Sequence, residues 1–213
     1  SPGPGSWSSD IAGNATGRVL NTSNPGPAEG SNYVRAAKNG LVGSGDRLHL
    51  ALDFNNDVLP DNEGKITARF STYIDSQGAS LNEQSMIFGL KVNADGTGVE
   101  VAFLDFIENG DLIVGGSGAG GSPGGSITFK RAFTPDAWLS VEMVYNVVSN
   151  CSNDSYDVNI WRNTGSNLVP EFSVYGITNT GDDGSRPIRS GVFASGNFAR
   201  WYVDAFVPPS STV

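Results

Sequence analysis

The chain has 213 residues, of which 28 are glycine, 11 are proline and only 16% are charged. This composition favours many short strands joined by tight turns, and the length fits one domain with a substantial core. The net charge of −9 excludes a nucleic-acid partner, which needs clustered basic residues, and no apolar run is long enough for membrane insertion. One Cys and one His exclude an intrachain disulfide and disfavour zinc or thiolate chemistry.

The two ends of the chain differ in composition from its middle. Residues 1–6 alternate Ser, Pro and Gly, and we expect a disordered start or an expression remnant there. Residues 208–213 are read as a linker-like tail. The predicted single β-sandwich domain therefore covers residues 7–207.

The first half of the chain alternates apolar and polar residues, which predicts strands. Residues 32–40 fit either a short helix ending at Gly40 or an early edge strand. Further strands are predicted at residues 47–54, 65–74, 86–92 and 99–107. The last of these is apolar on both faces, which is typical of a central strand.

A glycine-rich run follows at residues 114–126, with Gly116, Gly118 and Gly121 in the spacing G-x-G-x-x-G. Such a run binds a dinucleotide when it follows a strand and opens a helix, whose amides hold the phosphates. Here residues 127–133 alternate as a strand. We therefore interpret the run as a flexible loop between two strands.

The second half of the chain continues the strand pattern. Strands are predicted at residues 111–114, 126–133, 139–147, 156–161, 172–177, 191–195 and 200–207. Hairpin turns are predicted at residues 93–98 and 108–111, the second with an Asn-Gly pair that favours a type I′ turn. The predicted fold class is all-β, a two-sheet antiparallel β-sandwich of the jelly-roll type.

Two stretches resemble a known superfamily. Phe133 and Trp138 precede a strand, a hairpin and a second strand, and the final strand contains Tyr202-Val-Asp204. With the early stretch at residues 30–34, this pattern resembles the concanavalin A-like lectin and glucanase superfamily, particularly its laminin-G-like jelly-roll domains. The resemblance covers residues 7–207 and implies a polysaccharide site on the concave sheet.

Sugar sites combine aromatic rings, which stack on pyranose C–H faces, with polar groups that meet the hydroxyls. The candidate residues on the predicted outer faces are Trp138, Glu142, Asp157, Asn159, Trp161, Arg69, Tyr73 and Tyr202. Packing roles stay open as the alternative for both tryptophans.

The sequence supports an enzymatic function less well than carbohydrate binding. His49 together with Arg and Tyr residues resembles the acid–base set of jelly-roll polysaccharide lyases, but the characteristic stretches of those lyases are missing. A retaining glucanase needs two carboxylates about 5 Å apart. Glu100 and Asp105 lie on opposite faces if their strand alternates regularly, so that pair is not expected to form.

Two acidic loops carry oxygen ligands at close spacing, as calcium loops do. The candidate calcium ligands are Asp53, Asn55, Asp57, Asp61, Asp182 and Asp183. Solvated acidic turns are the alternative for both loops.

We therefore expect a secreted or cell-surface, non-catalytic carbohydrate-binding module with a polysaccharide or glycan partner. The alternative is a structural, self-assembling or adhesive surface subunit, with self-association through Cys151 at a predicted hairpin tip or through strand addition. A polysaccharide hydrolase or lyase is disfavoured. Asn14, Asn21, Asn150 and Asn153 begin Asn-x-Ser/Thr sequons, which matter only in a glycosylating host.

Overall fold

The structure, a computed structural model, describes most of the chain. The described residues are 7–12, 15–21, 26, 28, 30–38, 47–53, 64–76, 84–91, 100–117, 123–147, 155–163, 169–178, 189–195 and 200–212. Side chains are described for residues 19–21, 26, 28, 30–35, 64–76, 102–115, 126–146, 155–163 and 169–178.

All regular elements in the described residues are β-strands. Their bounds are β1 Trp7–Ala12, β2 Ala15–Leu20, β3 Tyr33–Lys38, β4 Arg47–Asp53, β5 Gly64–Ile74, β6 Gln84–Lys91, β7 Glu100–Ile107, β8 Leu112–Ser117, β9 Pro123–Phe129, β10 Trp138–Val147, β11 Ser155–Arg162, β12 Phe172–Thr178, β13 Arg189–Ser195 and β14 Arg200–Thr212. The described residues contain no helix long and apolar enough to span a membrane.

The strands form two antiparallel sheets. Sheet A has the order β1-β4-β13-β6-β7-β8-β9, and sheet B has the order β12-β11-β10-β5-β14-β3-β2. Sheet A therefore ends at β1 and β9, and sheet B ends at β12 and β2. The predicted two-sheet antiparallel sandwich is confirmed.

The core lies between the sheets and follows the predicted alternation. Ile66, Ala68 and Phe70 of β5 are no more than 2% exposed, and so are Leu139, Val141, Met143 and Tyr145 of β10. Sheet A contributes Leu104 and Phe106, and the Phe106 ring meets the Phe70 ring edge-on at 6.5 Å. Each such side chain stabilises the fold by about 1.5–3 kcal/mol when fully buried. The residues between them on each strand consequently face outward.

The first three strands differ from the sequence-based expectation. Residues 33–38 form strand β3, so the helical alternative for this segment is wrong. β3 pairs with both β14 and β2 and is therefore not an edge strand. β1 and β2 were not predicted, because their sequences lack a clean apolar alternation.

The glycine-rich run lies largely within a hairpin. β8 extends to Ser117 and β9 begins at Pro123, and these two residues pair across the antiparallel ladder. A strand therefore follows the run, as interpreted, although the connection is shorter than expected. β9 ends at Phe129 because Arg131, at φ 52°, belongs to the following turn.

The β7–β8 hairpin has a three-residue loop. The Ile107 N–H donates to the Asp111 carbonyl at 3.0 Å, and the Gly110 N–H donates to the Ile107 carbonyl at 3.0 Å. Gly110 has φ 90°, whereas Asn109 does not have the positive φ that a type I′ turn requires. The predicted hairpin is confirmed, but the predicted type I′ turn is wrong.

The last strand continues further than predicted. β14 runs to Thr212, and Ser210 and Thr212 pair with Thr67 and Lys65 of β5. Residues 208–212, interpreted from the sequence as a linker-like tail, thus lie in a strand of sheet B.

Candidate functional site

The candidate site is the face of sheet B that points away from the core, called here the outer face. Seven of the eight predicted sugar-binding residues have described side chains and occupy outward positions on β5, β10 and β11. They are Arg69, Tyr73, Trp138, Glu142, Asp157, Asn159 and Trp161. Tyr202 on β14 pairs with Tyr73 in the strand ladder. The register of three neighbouring strands therefore brings these residues together.

A polar row crosses the centre of this face, formed by Arg69, Glu142, Asn159 and Ser173. Glu142 pairs directly with Arg69 on one side and Asn159 on the other, and Asn159 pairs with Ser173 of β12. Residues directly opposite each other on neighbouring strands are close enough for their side chains to interact. The row thus extends over four strands, about 14 Å at the usual strand spacing.

Arg69 and Glu142 form the charged part of the polar row. Arg69 Nη2 and Nε lie 2.6 and 2.7 Å from Glu142 Oε2. Their side chains are 59% and 20% exposed, and such an exposed ion pair contributes at most about 1 kcal/mol to stability. Because the pair is weak and accessible, a sugar hydroxyl can bind to either partner.

Asn159 forms the neutral part of the polar row. Its Oδ1 accepts hydrogen bonds from Ser173 Oγ at 2.7 Å and from the Tyr175 hydroxyl at 3.2 Å. In the described part of the chain its amide nitrogen donates to no acceptor. The two remaining N–H groups are therefore donors for a ligand oxygen.

The two tryptophans of the outer face have different surroundings. The Trp138 indole N–H donates to the Gly26 carbonyl at 2.9 Å. Its ring packs edge-on against Tyr33 at 6.0 Å and Tyr73 at 5.9 Å between ring centroids. These contacts match the alternative that Trp138 has a packing role. Tyr73 belongs to the same aromatic cluster.

Trp161 lies two residues beyond Asn159 on β11 and pairs with Ser140. Its side chain is half-buried, and within the described residues it makes no hydrogen bond or ring contact. Of the two outer tryptophans, Trp161 is therefore the candidate for stacking on a sugar.

Ser173 and Tyr175 of β12 were not singled out from the sequence. Tyr175 is 66% exposed, and its hydroxyl reaches the polar row at Asn159. The available signal was Gly176, because a glycine inside a strand pattern often marks a bulge that redirects its neighbours.

The lyase-like combination is not assembled on one sheet. His49 lies on β4 of sheet A, whereas Arg69 and Tyr73 lie on β5 of sheet B. Residues on different sheets of a sandwich do not share a face.

The carboxylate pair Glu100 and Asp105 shows a different arrangement from the expected one. A register shift in the β6–β7 ladder pairs Glu100 with Lys91 and Asp105 with Ile87. The register shift interrupts the regular alternation on which the expectation of opposite faces depended, and the β6 partners of the two residues are four residues apart. Their separation is still about 13 Å along the strand, beyond the ~5 Å and ~6.5–9.5 Å of glycosidase pairs.

The predicted calcium ligands fall almost entirely outside the described residues. Asp53 ends strand β4, where only the backbone is described, and the others, Asn55, Asp57, Asp61, Asp182 and Asp183, are not described. Among the residues with described side chains there is no group of three or more His, Cys, Asp or Glu that could hold a metal ion. Calcium binding through the two loops stays a prediction.

The other sequence features are placed only in part. Asn21 follows β2 and is exposed, as a glycosylated asparagine would need to be. Cys151, Asn14, Asn150 and Asn153 lie outside the described residues.

Comparison with known proteins identifies the fold. No protein-family model and no curated protein matches the chain. Among solved structures, it is similar to an endo-β-1,4-glucuronan lyase from the fungus Trichoderma reesei, with TM-score 0.57, 16% identity, and 96% of this chain and 90% of that chain covered. It is also similar to a carbohydrate esterase from the Shiga toxin-encoding bacteriophage phi24B, with TM-score 0.52, 16% identity and coverage of 97% and 90%.

A Lotus tetragonolobus seed lectin superposes with TM-score 0.52, 10% identity and coverage of 97% and 98%. These proteins differ in activity but share the sandwich architecture, and at such low identity the similarity concerns architecture alone. The chain has the concanavalin A-like lectin and glucanase fold.

Proposed function

We propose that this chain is a carbohydrate-binding protein whose site is the outer face of sheet B around Trp161. The observation that carries the proposal is the half-buried Trp161 ring, which has no ring partner among the described residues and lies beside the polar row. A partly exposed aromatic ring next to a carboxylate, a guanidinium and an amide matches the needs of a pyranose, which has apolar C–H faces and polar hydroxyls. The similarity to a seed lectin is consistent with this proposal.

A non-catalytic role is part of the proposal. The two carboxylates of the site already have partners, Glu142 in Arg69 and Asp157 in the backbone N–H of Gly176. Neither arrangement resembles an acid–base pair placed on opposite sides of a scissile bond. We further propose a secreted or cell-surface location, where polysaccharide ligands are found.

The first experiment compares Trp161→Ala with the wild-type chain on a glycan array, with calcium and again with a chelator. We expect the substitution to weaken binding at least about tenfold, equivalent to about 1.4 kcal/mol, because one stacking ring is lost. Because the Trp161 side chain is half-buried, the substitution should also lower the melting temperature, so binding is compared at a temperature at which both chains are folded. If the wild-type chain binds glycans with calcium but not with the chelator, the acidic loops are implicated.

Two control variants separate binding from folding. Ile127→Ala removes an exposed apolar side chain on β9 of sheet A and should leave both binding and stability unchanged. Trp138→Ala removes the hydrogen bond to Gly26 and two ring contacts, and should lower the melting temperature. Wild-type affinity in the Trp161→Ala variant would refute the proposed site.

A self-assembling subunit is the second candidate function. β9 and β12 each end a sheet, and the contact between Phe129 and Phe172, 5.1 Å between centroids, holds them at the same side of the sandwich. Ile127 on β9 is 52% exposed there. Exposed terminal strands can pair with another chain. An empty glycan array together with high-mass particles in light scattering would favour this function over carbohydrate binding.

A further inference from the structure

We infer that Tyr175 forms a second sugar-binding subsite beside Trp161, and that Asp157 positions Tyr175 instead of binding sugar itself. The inference rests on the proposed function and extends it to the ligand, which would be an oligosaccharide or a polysaccharide segment and not a single terminal sugar.

The first step is a bulge in strand β12. Val158 pairs with Val174 and Tyr156 pairs with Ile177, so two residues of β12, Tyr175 and Gly176, lie opposite the single residue Asp157. Gly176 has φ 65°, a conformation that glycine adopts at little cost. Bulges of this kind redirect the side chain of a neighbouring residue, and they are frequent at sheet edges.

The second step is the anchor of the bulge. Asp157 Oδ1 accepts a hydrogen bond from the Gly176 N–H at 2.8 Å. A carboxylate bound to a backbone N–H is one of the stronger hydrogen bonds in proteins. Since β12 is the last described strand of sheet B, no further strand among the described residues holds this part of the backbone. The Asp157 carboxylate therefore holds the bulge in place.

The third step is the position of Tyr175. Tyr175 is 66% exposed, and its hydroxyl lies 3.2 Å from Asn159 Oδ1, so the ring leans over the outer face with most of its surface accessible. An exposed tyrosine offers a large apolar ring with a polar end at a modest entropy cost, because only two torsions have to be ordered.

The fourth step is the placement of the Tyr175 and Trp161 rings along the outer face. Asp157 and Trp161 are four residues apart on β11, about 13 Å along the strand. Tyr175 lies opposite Asp157 and reaches back to Asn159, so the two rings flank Asn159. Each ring can stack on its own sugar with Asn159 between the two sugars, so we infer that the ligand is a chain of sugars.

The test uses an array of length-graded fragments, from single sugars to long chains, prepared from cellulose, laminarin, xylan, pectin and alginate. Trp161→Ala should weaken binding at every length. Tyr175→Ala should weaken binding of long fragments about tenfold and leave the weak binding of single sugars unchanged, because one of two ring contacts is lost. Tyr175→Phe keeps the ring and should lose much less affinity for long fragments than Tyr175→Ala.

Asp157 is tested by a pair of substitutions with matched melting temperatures. Asp157→Ala removes the acceptor for Gly176 and should reproduce the length-dependent loss of Tyr175→Ala. Asp157→Asn keeps an acceptor oxygen at the same position and should retain most of the affinity. An equal loss in both variants would mean that the charge itself contacts sugar, which would overturn the positioning role.

A second pair of substitutions tests the bulge without changing Asp157. A Cβ added at Gly176 meets no atom within 4 Å, so any effect comes from the backbone conformation and not from a clash. Asn tolerates positive φ, so Gly176→Asn should bind long fragments as the wild type does. Val does not tolerate positive φ, so Gly176→Val should bind long fragments more weakly.

The outcomes separate this inference from the proposed function. Loss of binding in Trp161→Ala with wild-type binding of long fragments in Tyr175→Ala would overturn the subsite and leave the proposed function standing. Wild-type binding in Trp161→Ala would overturn both.

Discussion

The carboxylate of Asp111 joins two turns that are far apart in the chain. It accepts hydrogen bonds from Lys130 Nζ at 2.7 Å and from the Arg131 backbone N–H at 3.0 Å, and it also bonds the Asn109 side chain. The Lys130 ammonium, followed by the Arg131 and Asn109 hydrogen bonds, holds the Asp111 pKa below its ordinary value of 3.8 despite burial. This carboxylate therefore favours the folded state when it is ionised.

The substitution Asp111→Asn tests this contribution through pH. Because the folded pKa is lower than the unfolded one, the stabilisation is complete above about pH 4 and is lost as the pH falls through the folded value. We expect Asp111→Asn to be less stable than wild type at neutral pH, and the difference to shrink in acid. Urea unfolding at a series of pH values measures both. A constant difference between neutral and strongly acidic pH would contradict the assignment.

The two outer tryptophans make a second point at the level of single residues. Alternation predicted outward positions for both Trp138 and Trp161, and both are outward. Their roles diverge through neighbours that are distant in sequence, since the Trp138 indole donates to Gly26, 112 residues away. A single sequence without its fold contains no signal of that contact.

At the level of elements, turns and bulges decide details that alternation alone misses. The register shift next to Glu100 interrupts the alternation of β7, and the bulge at Gly176 accompanies a Tyr175 hydroxyl that reaches Asn159. An inserted residue changes the parity of a strand from that position onward. The pattern therefore predicted most strands, although not β1 and β2, and it could not predict which way residues face beyond a bulge.

The β7–β8 hairpin provides a stability prediction at this scale. A Cβ at Gly110 would lie 2.5 Å from the Phe133 carbonyl oxygen, and Gly110 also has φ 90°. Gly110→Ala should therefore destabilise the fold by about 2 kcal/mol or more, because backbone strain and a clash add up. Gly30 has φ 65° but open space around it, so Gly30→Ala should cost about 1 kcal/mol. Chemical denaturation of both variants measures the difference, and equal losses would argue against the clash.

At the level of the whole molecule, Tyr156 connects the two sheets. It lies on β11 of sheet B and is fully buried, and its hydroxyl donates to the Gly115 carbonyl of sheet A at 2.9 Å. The Phe103 carbonyl lies at 3.3 Å from the same hydroxyl. Burial raises the pKa of Tyr156 above its ordinary value of 10.0, so the hydroxyl stays protonated and keeps donating.

Tyr156→Phe removes this link and preserves the ring in the core. We expect a loss of about 1–2 kcal/mol at neutral pH, since a buried carbonyl loses its donor. Because the folded pKa is raised, the wild-type chain should lose stability as the pH rises above about 10, and Tyr156→Phe should lose less in that range. Thermal unfolding at neutral and alkaline pH checks both effects. An identical alkaline slope in the two proteins would show that Tyr156 does not titrate on unfolding.

The sequence alone determined the fold class, most of the strands and the outward positions of Arg69, Glu142, Asn159 and Trp161, because alternation at period two depends only on neighbouring residues. The tertiary structure decided which of these residues meet, since the pairing of β5, β10, β11 and β12 joins segments up to about a hundred residues apart in the chain. It also decided that Trp138 packs against Tyr33 and Tyr73 while Trp161 has no ring partner among the described residues, and that the Tyr175 hydroxyl reaches Asn159. Such outcomes depend on long-range register and packing, and no local pattern contains them.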